Sequence, residues 1–296
     1  MKRIIKNHEY TICDRVRDDE AARSGFFRLA KDVFGLDFEP WRAGGWWGAD
    51  YIPHALMDEG RVVANVSANV IRTRVSGADK TFIQIGTVMT APEYRGRGLA
   101  RHLMEEVMAW YGGNSDGMYL YANDSVLDFY PKFGFVKAQE HQYSLPVQKS
   151  GEPVRKLNMD DPADKTRLVN TYLKSSNPYS ALPMLGNTGL LMFYCGQFLK
   201  GQVYEIPAMG AVAVAAHDGS RMLVNDVFGG SAPLRETLNA LATEETKTAV
   251  LGFTPTDAGD MVVGPRVEED TTMFVTGELV DLLNQNLAMF PLLSHA

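Results

Sequence analysis

Phe82-Ile-Gln-Ile-Gly-Thr-Val-Met-Thr90 followed by Pro92-Glu-Tyr-Arg-Gly-Arg-Gly-Leu-Ala-Arg-His-Leu-Met104 is the stretch on which the reading of this chain turns. Its first part is apolar and β-branched, as a buried strand requires. Its last part opens an amphipathic helix, with Ala100, Leu103, Met104, Val107, Met108 and Tyr111 on one face. Between them lies a turn rich in glycine and arginine. Strand, turn and helix N-terminus in that order make an anion site, because the first amides of a helix have no carbonyl one turn back to bond. Gly96 and Gly98 allow close approach of the main chain, and Arg95, Arg97 and Arg101 supply positive charge. A diphosphate-bearing ligand is expected here.

Two familiar phosphate motifs do not fit. A P-loop requires G-x-x-x-x-G-K-[ST], and no Lys-Ser or Lys-Thr follows Gly98. A dinucleotide fingerprint requires G-x-G-x-x-G, and Arg101 stands in the third glycine position. A third pattern, [QR]-x-x-G-x-[GA], is filled by Arg95, Gly98 and Ala100. Downstream, after the short strand Met118–Ala122, comes Asn123-Asp-Ser-Val-Leu-Asp-Phe-Tyr130-Pro-Lys-Phe-Gly-Phe135. The two motifs in this order resemble GNAT-type N-acetyltransferases over residues 9–146.

The remaining pattern extends that resemblance to the whole chain. Tyr10–Asp14 alternates as a strand, Asp18–Phe34 has helical spacing, and Ile52–Met57, Arg61–Arg74 and Lys80–Thr90 read as an antiparallel meander. A linker, Val147-Gln-Lys-Ser-Gly-Glu-Pro153, separates the halves. The second half restarts the order: strand Val154–Met159, helix Pro162–Lys174, strands Gln202–Ile206, Ala211–His217 and Met222–Phe228, helix Ala232–Ala242, strand Lys247–Phe253. The expected fold class is α+β, a GNAT fold of mixed, mostly antiparallel sheet flanked by helices, in two tandem copies. Residues 1–147 form the catalytic copy. Residues 148–296 form a degenerate copy that completes or covers the acceptor pocket, since Phe228-Gly-Gly-Ser-Ala-Pro233 lacks the arginine turn and no tyrosine follows Phe253.

The resemblance implies acetyl-CoA as acyl donor and a direct attack of an amine on the thioester. The backbone of Val88, Met89 and Thr90 would pair with pantetheine as an added strand does. Arg95, Gly96, Arg97, Gly98, Leu99, Ala100 and Arg101 would bind the pyrophosphate, and Asn123 would touch the pantetheine arm. Tyr130 would protonate the leaving thiolate, because a phenol with a pKa of about 10 keeps its proton at neutral pH. The alternative for Tyr130 is a core aromatic beside Phe129 and Phe133. The N–H of Val88 or Met89 could stabilise the oxyanion. The base stays open among a water chain, an acidic side chain, His54, His102 and the carboxylate of Ala296. Gln84, where some family members carry glutamate, is an amide and takes no proton.

Trp41, Trp46, Trp47, Asp50 and Tyr51 suit an aromatic, partly acidic wall for an amine-bearing ligand, or alternatively a plug between the halves. The expected acceptor is a small-molecule amine, met by Trp46, Trp47, Asp50 and Gln84. A non-catalytic acyl-CoA-binding or regulatory protein and a protein or peptide amine acetyltransferase are the other readings.

Charge and cysteine usage narrow the partners. Residues 1–150 hold 19 Lys+Arg and 19 Asp+Glu, whereas residues 151–296 hold 10 and 17, so the net charge of −7 sits in the second half. That disfavours a nucleic-acid partner and favours a cationic small substrate, with solubility as the plainer use of these carboxylates. Cys13 and Cys195 stand alone, and no CxxC or HExxH spacing occurs, so no metal is expected. The N-terminus has no apolar core of a leader and no apolar run approaches 18 residues. A cytoplasmic protein without a membrane partner, monomer or homodimer, is expected.

Overall fold

The computed structural model describes residues 1–295, apart from the side chains of Asn284 and Gln285. In chain order the first half contains β1 (Lys2–Ile5), β2 (His8–Cys13), α1 (Glu20–Phe34), α2 (Glu39–Ala43), β3 (Tyr51–Asp58), β4 (Arg61–Val75), β5 (Ala78–Thr90), α3 (Leu99–Tyr111), β6 (Gly117–Ala122), β7 (Val136–Lys137) and β8 (His141–Pro146). Then follow β9 (Arg155–Lys156), α4 (Pro162–Lys174), α5 (Thr188–Phe193), β10 (Val203–Ile206), β11 (Ala211–Asp218), β12 (Arg221–Gly229), α6 (Leu234–Leu241), β13 (Thr248–Leu251), β14 (Val262–Pro265), β15 (Thr272–Val275) and α7 (Leu279–Asn286).

Local chemistry sets the boundaries. Asp19 caps α1 by accepting from the Ala22 N–H at 2.9 Å, and Gly35 ends it in the left-handed conformation, φ 69°. Ala22, Phe26, Leu29 and Ala30 form its buried stripe. In the turns Glu59-Gly60 and Ser76-Gly77, both residues have positive φ, as tight two-residue hairpins require. The β3–β4–β5 meander is therefore continuous and antiparallel.

The strand order in the first sheet is β1-β2-β3-β4-β5-β6-β15-β7, and in the second β14-β8-β13-β12-β11-β10-β9. The two sheets share a plan. In each, a meander is followed by a helix (α3 or α6) and a strand that returns parallel to the meander's last strand. This is the two-copy plan expected from the sequence. The final strands, however, are exchanged: β8 of the first half lies between β13 and β14, while β15 of the second half lies between β6 and β7.

Three apolar clusters hold the layers together. One lies beneath α3 and includes Leu99, Leu103, Met104, Val107, Leu120 and Phe274. A second lies beneath α6 in the second sheet. The largest joins the halves, since Phe26, Leu29 and Trp41 share it with Leu168, Tyr172, Leu190 and Phe193. The open face of the first sheet is thus partly built from the second half.

Candidate active site

The central feature is a wedge between β5 and β6. Their parallel ladder runs from Phe82↔Gly117 to Ile85↔Leu120 and stops. On its other edge β5 continues with β4 through Asn65↔Met89 and Ala64↔Thr90. Between Ser67↔Gly86 and Asn65↔Met89 the register slips by one, so Thr87 and Val88 together face Val66. This is a β-bulge, and it bends β5 away from β6. Thr87 takes φ 42°, a strained value for a β-branched residue.

Buried polar side chains hold that strain. The Asn65 amide donates to the Thr87 carbonyl at 3.0 Å, the Thr87 hydroxyl donates to Ser67 Oγ at 2.6 Å, and Tyr51 Oη lies 2.8 Å from Thr87 Oγ1. Asn65 and Ser67 are fully buried, and these bonds satisfy the Asn65 amide nitrogen and the Ser67 hydroxyl. Sequence reasoning missed Asn65, Ser67 and Thr87. The available signal was Asn65-Val-Ser67-Ala-Asn69, polar groups alternating on one face of an otherwise apolar strand.

Beyond Thr90 the chain makes a 3₁₀ turn at Pro92–Tyr94 and then the arginine turn. Gly96 and Gly98 adopt φ 75° and 84°, and Gly98 leads directly into α3. Arg95, Gly96, Arg97 and Arg101 are exposed, and Leu99 anchors the helix start in the core. The Arg97 guanidinium lies over the Tyr94 ring at 4.4 Å and donates to the Glu93 carbonyl at 3.0 Å. Lys6, from the β1–β2 turn, donates to the Gly96 carbonyl at 2.8 Å. It brings a fourth cation to the same turn across 90 residues of sequence. The bent strand, the glycine turn and the helix terminus therefore present backbone donors and cations around one space, which fits a pantetheine diphosphate.

Tyr130 begins the 3₁₀ turn Tyr130–Phe133 and is 6% exposed. Its ring packs against Phe129, Phe135 and, from the exchanged strand β15, Phe274. Burial pushes its hydroxyl up to about 12, so it stays protonated at neutral pH and is a donor. Asn123 is exposed at the end of β6, and its amide donates to the Asp270 carboxylate at 2.9 Å.

The aromatic loop divides in two. Trp46, Asp50, Trp41 and Tyr51 line a cavity of about 190 Å³, closed on the far side by Asn187–Leu190 of the second half. Asp50 is paired with Arg72 at 2.7 Å, and the Trp41 indole donates to the Gly189 carbonyl at 2.7 Å. Trp47 instead lies in the core against Phe26 and Phe27, its indole donating to the Tyr51 carbonyl. Gln84 is buried in the β4–β5–β6 layer, opposite Asn69 and Tyr119, and donates to the Ile85 carbonyl at 3.0 Å. His54 packs on Trp110 with burial pushing it down to about 4, and His102 rides α3 beside Glu106. Both lie away from the wedge's open face.

That open face carries the C-terminal segment. Phe290 stacks on Tyr119 at 4.0 Å, the Tyr119 hydroxyl donates to the Ser294 carbonyl at 3.0 Å, and His295 stacks on Tyr121. Ala296, whose carboxylate was a candidate base, lies outside the described residues. Among the described residues, no group of three or more His, Cys, Asp and Glu is placed to hold a metal ion, and no helix is long and apolar enough to cross a membrane.

The second copy has a bulge at the same place, where the β11–β12 register slips between Val214 and Ala215. Its wedge is filled by residues 175–181. The Gly229 N–H donates to the Ser175 carbonyl, the Asn177 amide to Asp226, the Tyr179 hydroxyl to the Ala232 carbonyl, and the Ala181 N–H to the Thr254 carbonyl. A β-carbon on Gly230 would stand 2.6 Å from the Tyr179 hydroxyl. The gap that the first copy leaves open is thus taken up here by the chain itself.

Compared with known families, residues 16–135 match the model of the Acetyltransferase (GNAT) family. This stretch is a GNAT acetyltransferase domain. Solved structures extend the fold likeness over nearly the whole chain. A conserved protein of unknown function from Enterococcus faecalis V583 matches with 14% identity and TM-score 0.60, covering 93% of this chain and 72% of its own. Eis1 from Mycobacterium abscessus matches with 14% identity and TM-score 0.57, covering 89% and 72%. A GCN5-related N-acetyltransferase from Kribbella flavida matches with 19% identity and TM-score 0.54, covering 90% and 70%. No curated protein matches the chain in sequence. The GNAT family implies acyl transfer from acyl-CoA to an amine.

Proposed function

We propose that the chain is an acetyl-CoA-dependent N-acetyltransferase acting on a small-molecule amine. In this reading the first copy, residues 1–147, carries the reaction, and residues 148–296 complete the acceptor pocket. The observation that supports it most is the bulge at Thr87–Val88, which frees one edge of β5 directly before the arginine turn. Pantetheine would lie along Val88–Thr90, leaving the thioester at the bulge and the diphosphate at Arg95–Arg101.

Each step then has a group of this chain behind it. The amine nitrogen forms a bond to the thioester carbon, and the resulting oxyanion is met by the N–H of Val88 or Met89. As the C–S bond breaks, the thiolate takes the Tyr130 proton. A buried phenol beside Phe274 has no other evident use for its proton, and this favours catalysis over mere acyl-CoA binding. Trp41, Trp46 and Asp50 offer π faces and a carboxylate to a cationic amine in a small cavity, which fits a small molecule better than an extended peptide.

The test is release of free thiol from acetyl-CoA with a panel of small amines and lysine peptides. Turnover with at least one small amine, reduced about a hundredfold or more in Tyr130→Phe while acetyl-CoA still binds, supports the reading. Binding without turnover for any amine favours the regulatory alternative.

A further inference from the structure

Tyr121 is the first residue of β6 beyond its last pairing with β5, so its side chain stands at the mouth of the wedge. Strand alternation puts it on the face opposite Leu120 and α3, the face by which the amine would arrive in the proposed reaction. There the Tyr121 hydroxyl lies 2.7 Å from His295 Nε2 and 3.0 Å from Glu140 Oε1. Glu140 is 3% exposed and receives further donors, Arg266 Nη1 at 3.1 Å and the Phe290 N–H at 2.9 Å.

These bonds fix protons. Three donors on Glu140, one of them a guanidinium, are the surroundings of an ionised carboxylate, which only accepts. Tyr121 has a single hydroxyl proton and gives it to Glu140. Its oxygen must then accept from His295, so Nε2 of the imidazole carries hydrogen and Nδ1 carries the lone pair. Among the described residues no group bonds Nδ1.

We propose that His295 Nδ1 is the general base that removes the amine proton, with Tyr121 and Glu140 as positioning residues that hold its tautomer. This deepens the acetyltransferase reading and rests on it. The balance is complete: the C–N bond forms, the amine proton passes to Nδ1, the C–S bond breaks, and the thiolate takes the Tyr130 proton. Solvent then receives the imidazolium proton and restores the phenol, so the net change is one proton moved from nitrogen to sulfur.

The surroundings keep the base neutral at rest. Around His295 stand Tyr121 on β6, against its ring, Tyr194 after α5, whose hydroxyl donates to the His295 carbonyl, Arg266 after β14, whose charge acts on the imidazole, and Glu140 before β8, bonded to both Tyr121 and Arg266. Burial, reinforced by the Arg266 charge, holds the imidazole well below its ordinary value. Burial also raises the Glu140 carboxyl, and Arg266 opposes that rise. An unprotonated imidazole is therefore available at neutral pH.

Two measurements on the full chain test this. Long-range ¹⁵N NMR of the His295 ring in the wild-type protein should show the Nε2–H tautomer, and Tyr121→Phe should remove that preference. In thiol-release assays with an accepted amine, His295→Ala should lower kcat at least a hundredfold with acetyl-CoA affinity unchanged. Added imidazole should restore part of the rate, which a merely structural role would not allow. The inference is overturned if the ring is Nδ1–H, or if His295→Ala and His295→Gln keep wild-type kcat and its pH profile. No turnover by the wild type with any amine would overturn the parent reading and this one together, whereas turnover with indifferent His295 variants overturns this one alone.

Discussion

Phe274, carried into the first sheet by the exchanged strand β15, packs against Tyr130 with ring centroids 5.9 Å apart. The residue proposed as acid is thus held by a side chain 144 positions away. The same strand pairs Met273 with Tyr121. The second half therefore gives structural support to the first half's candidate site. Phe274 is fully buried, and Phe274→Ala should cost about 3–5 kcal/mol, read as a lower denaturation midpoint. Activity in the folded fraction should also fall, because Tyr130 loses one wall.

Tyr130 sets a pH expectation. Its hydroxyl is pushed up to about 12 by burial, so loss of its proton should not limit turnover from pH 7 to 10. Tyr130→Phe should lower kcat by roughly 10²–10⁴ with little change in acetyl-CoA affinity. A rate profile from pH 7 to 10, wild type against variant, checks both statements.

Gly98 holds φ 84° where the arginine turn enters α3, and a β-carbon there would meet only the Lys6 Cε, at 3.8 Å. The cost of Gly98→Ala is therefore conformational rather than steric, on the order of 1–2 kcal/mol. The variant should melt at lower temperature and bind CoA about tenfold more weakly, as calorimetry and thermal unfolding would show.

The cavity beside Trp46 should set amine affinity alone. Trp46→Ala and Asp50→Asn are expected to raise the amine KM by roughly tenfold, about 1.4 kcal/mol, while the acetyl-CoA KM stays constant. Asp50 also pairs with Arg72, so Arg72→Met separates loss of the ion pair from loss of the carboxylate.

Asp226, 1% exposed, marks the filled wedge of the second copy. Burial raises its carboxyl to about 7 despite bonds from Asn177 and the Val227 N–H. The folded state holds this proton more tightly than the unfolded state. Its contribution to stability is therefore full below about pH 4 and lost as pH rises through 7. At about 1.4 kcal/mol per pKa unit, the swing is a few kcal/mol. Urea midpoints should fall between pH 5 and pH 8 in the wild type, and Asp226→Asn should flatten that slope.

The meander and both wedge-side helices were legible because their signals are local. Apolar runs bounded by Glu59-Gly60 and Ser76-Gly77, and the Gly96–Gly98 turn before an amphipathic stripe, need no long-range information. The strand exchange was not legible: Thr272–Val275 is four residues long, and nothing in it selects β6 over β13 as partner. Asn65 and Ser67 became meaningful only once the bulge placed the Thr87 main chain against them. Glu140 and His295 meet at Tyr121 from 19 and 174 positions away, which periodicity cannot show. Trp47 and Trp46 are adjacent in sequence yet face the core and the cavity respectively, a division set by packing against Phe26 and Phe27.

Isothermal titration with coenzyme A addresses the donor site most directly, comparing the wild type with the Arg95→Ala/Arg97→Ala variant. A measurable heat of binding in the wild type, weakened tenfold or more in the variant and sensitive to salt, is the predicted result. No heat with either coenzyme A or acetyl-CoA, or equal affinity in the two proteins, would contradict the assignment of the β5–β6 wedge and its arginine turn.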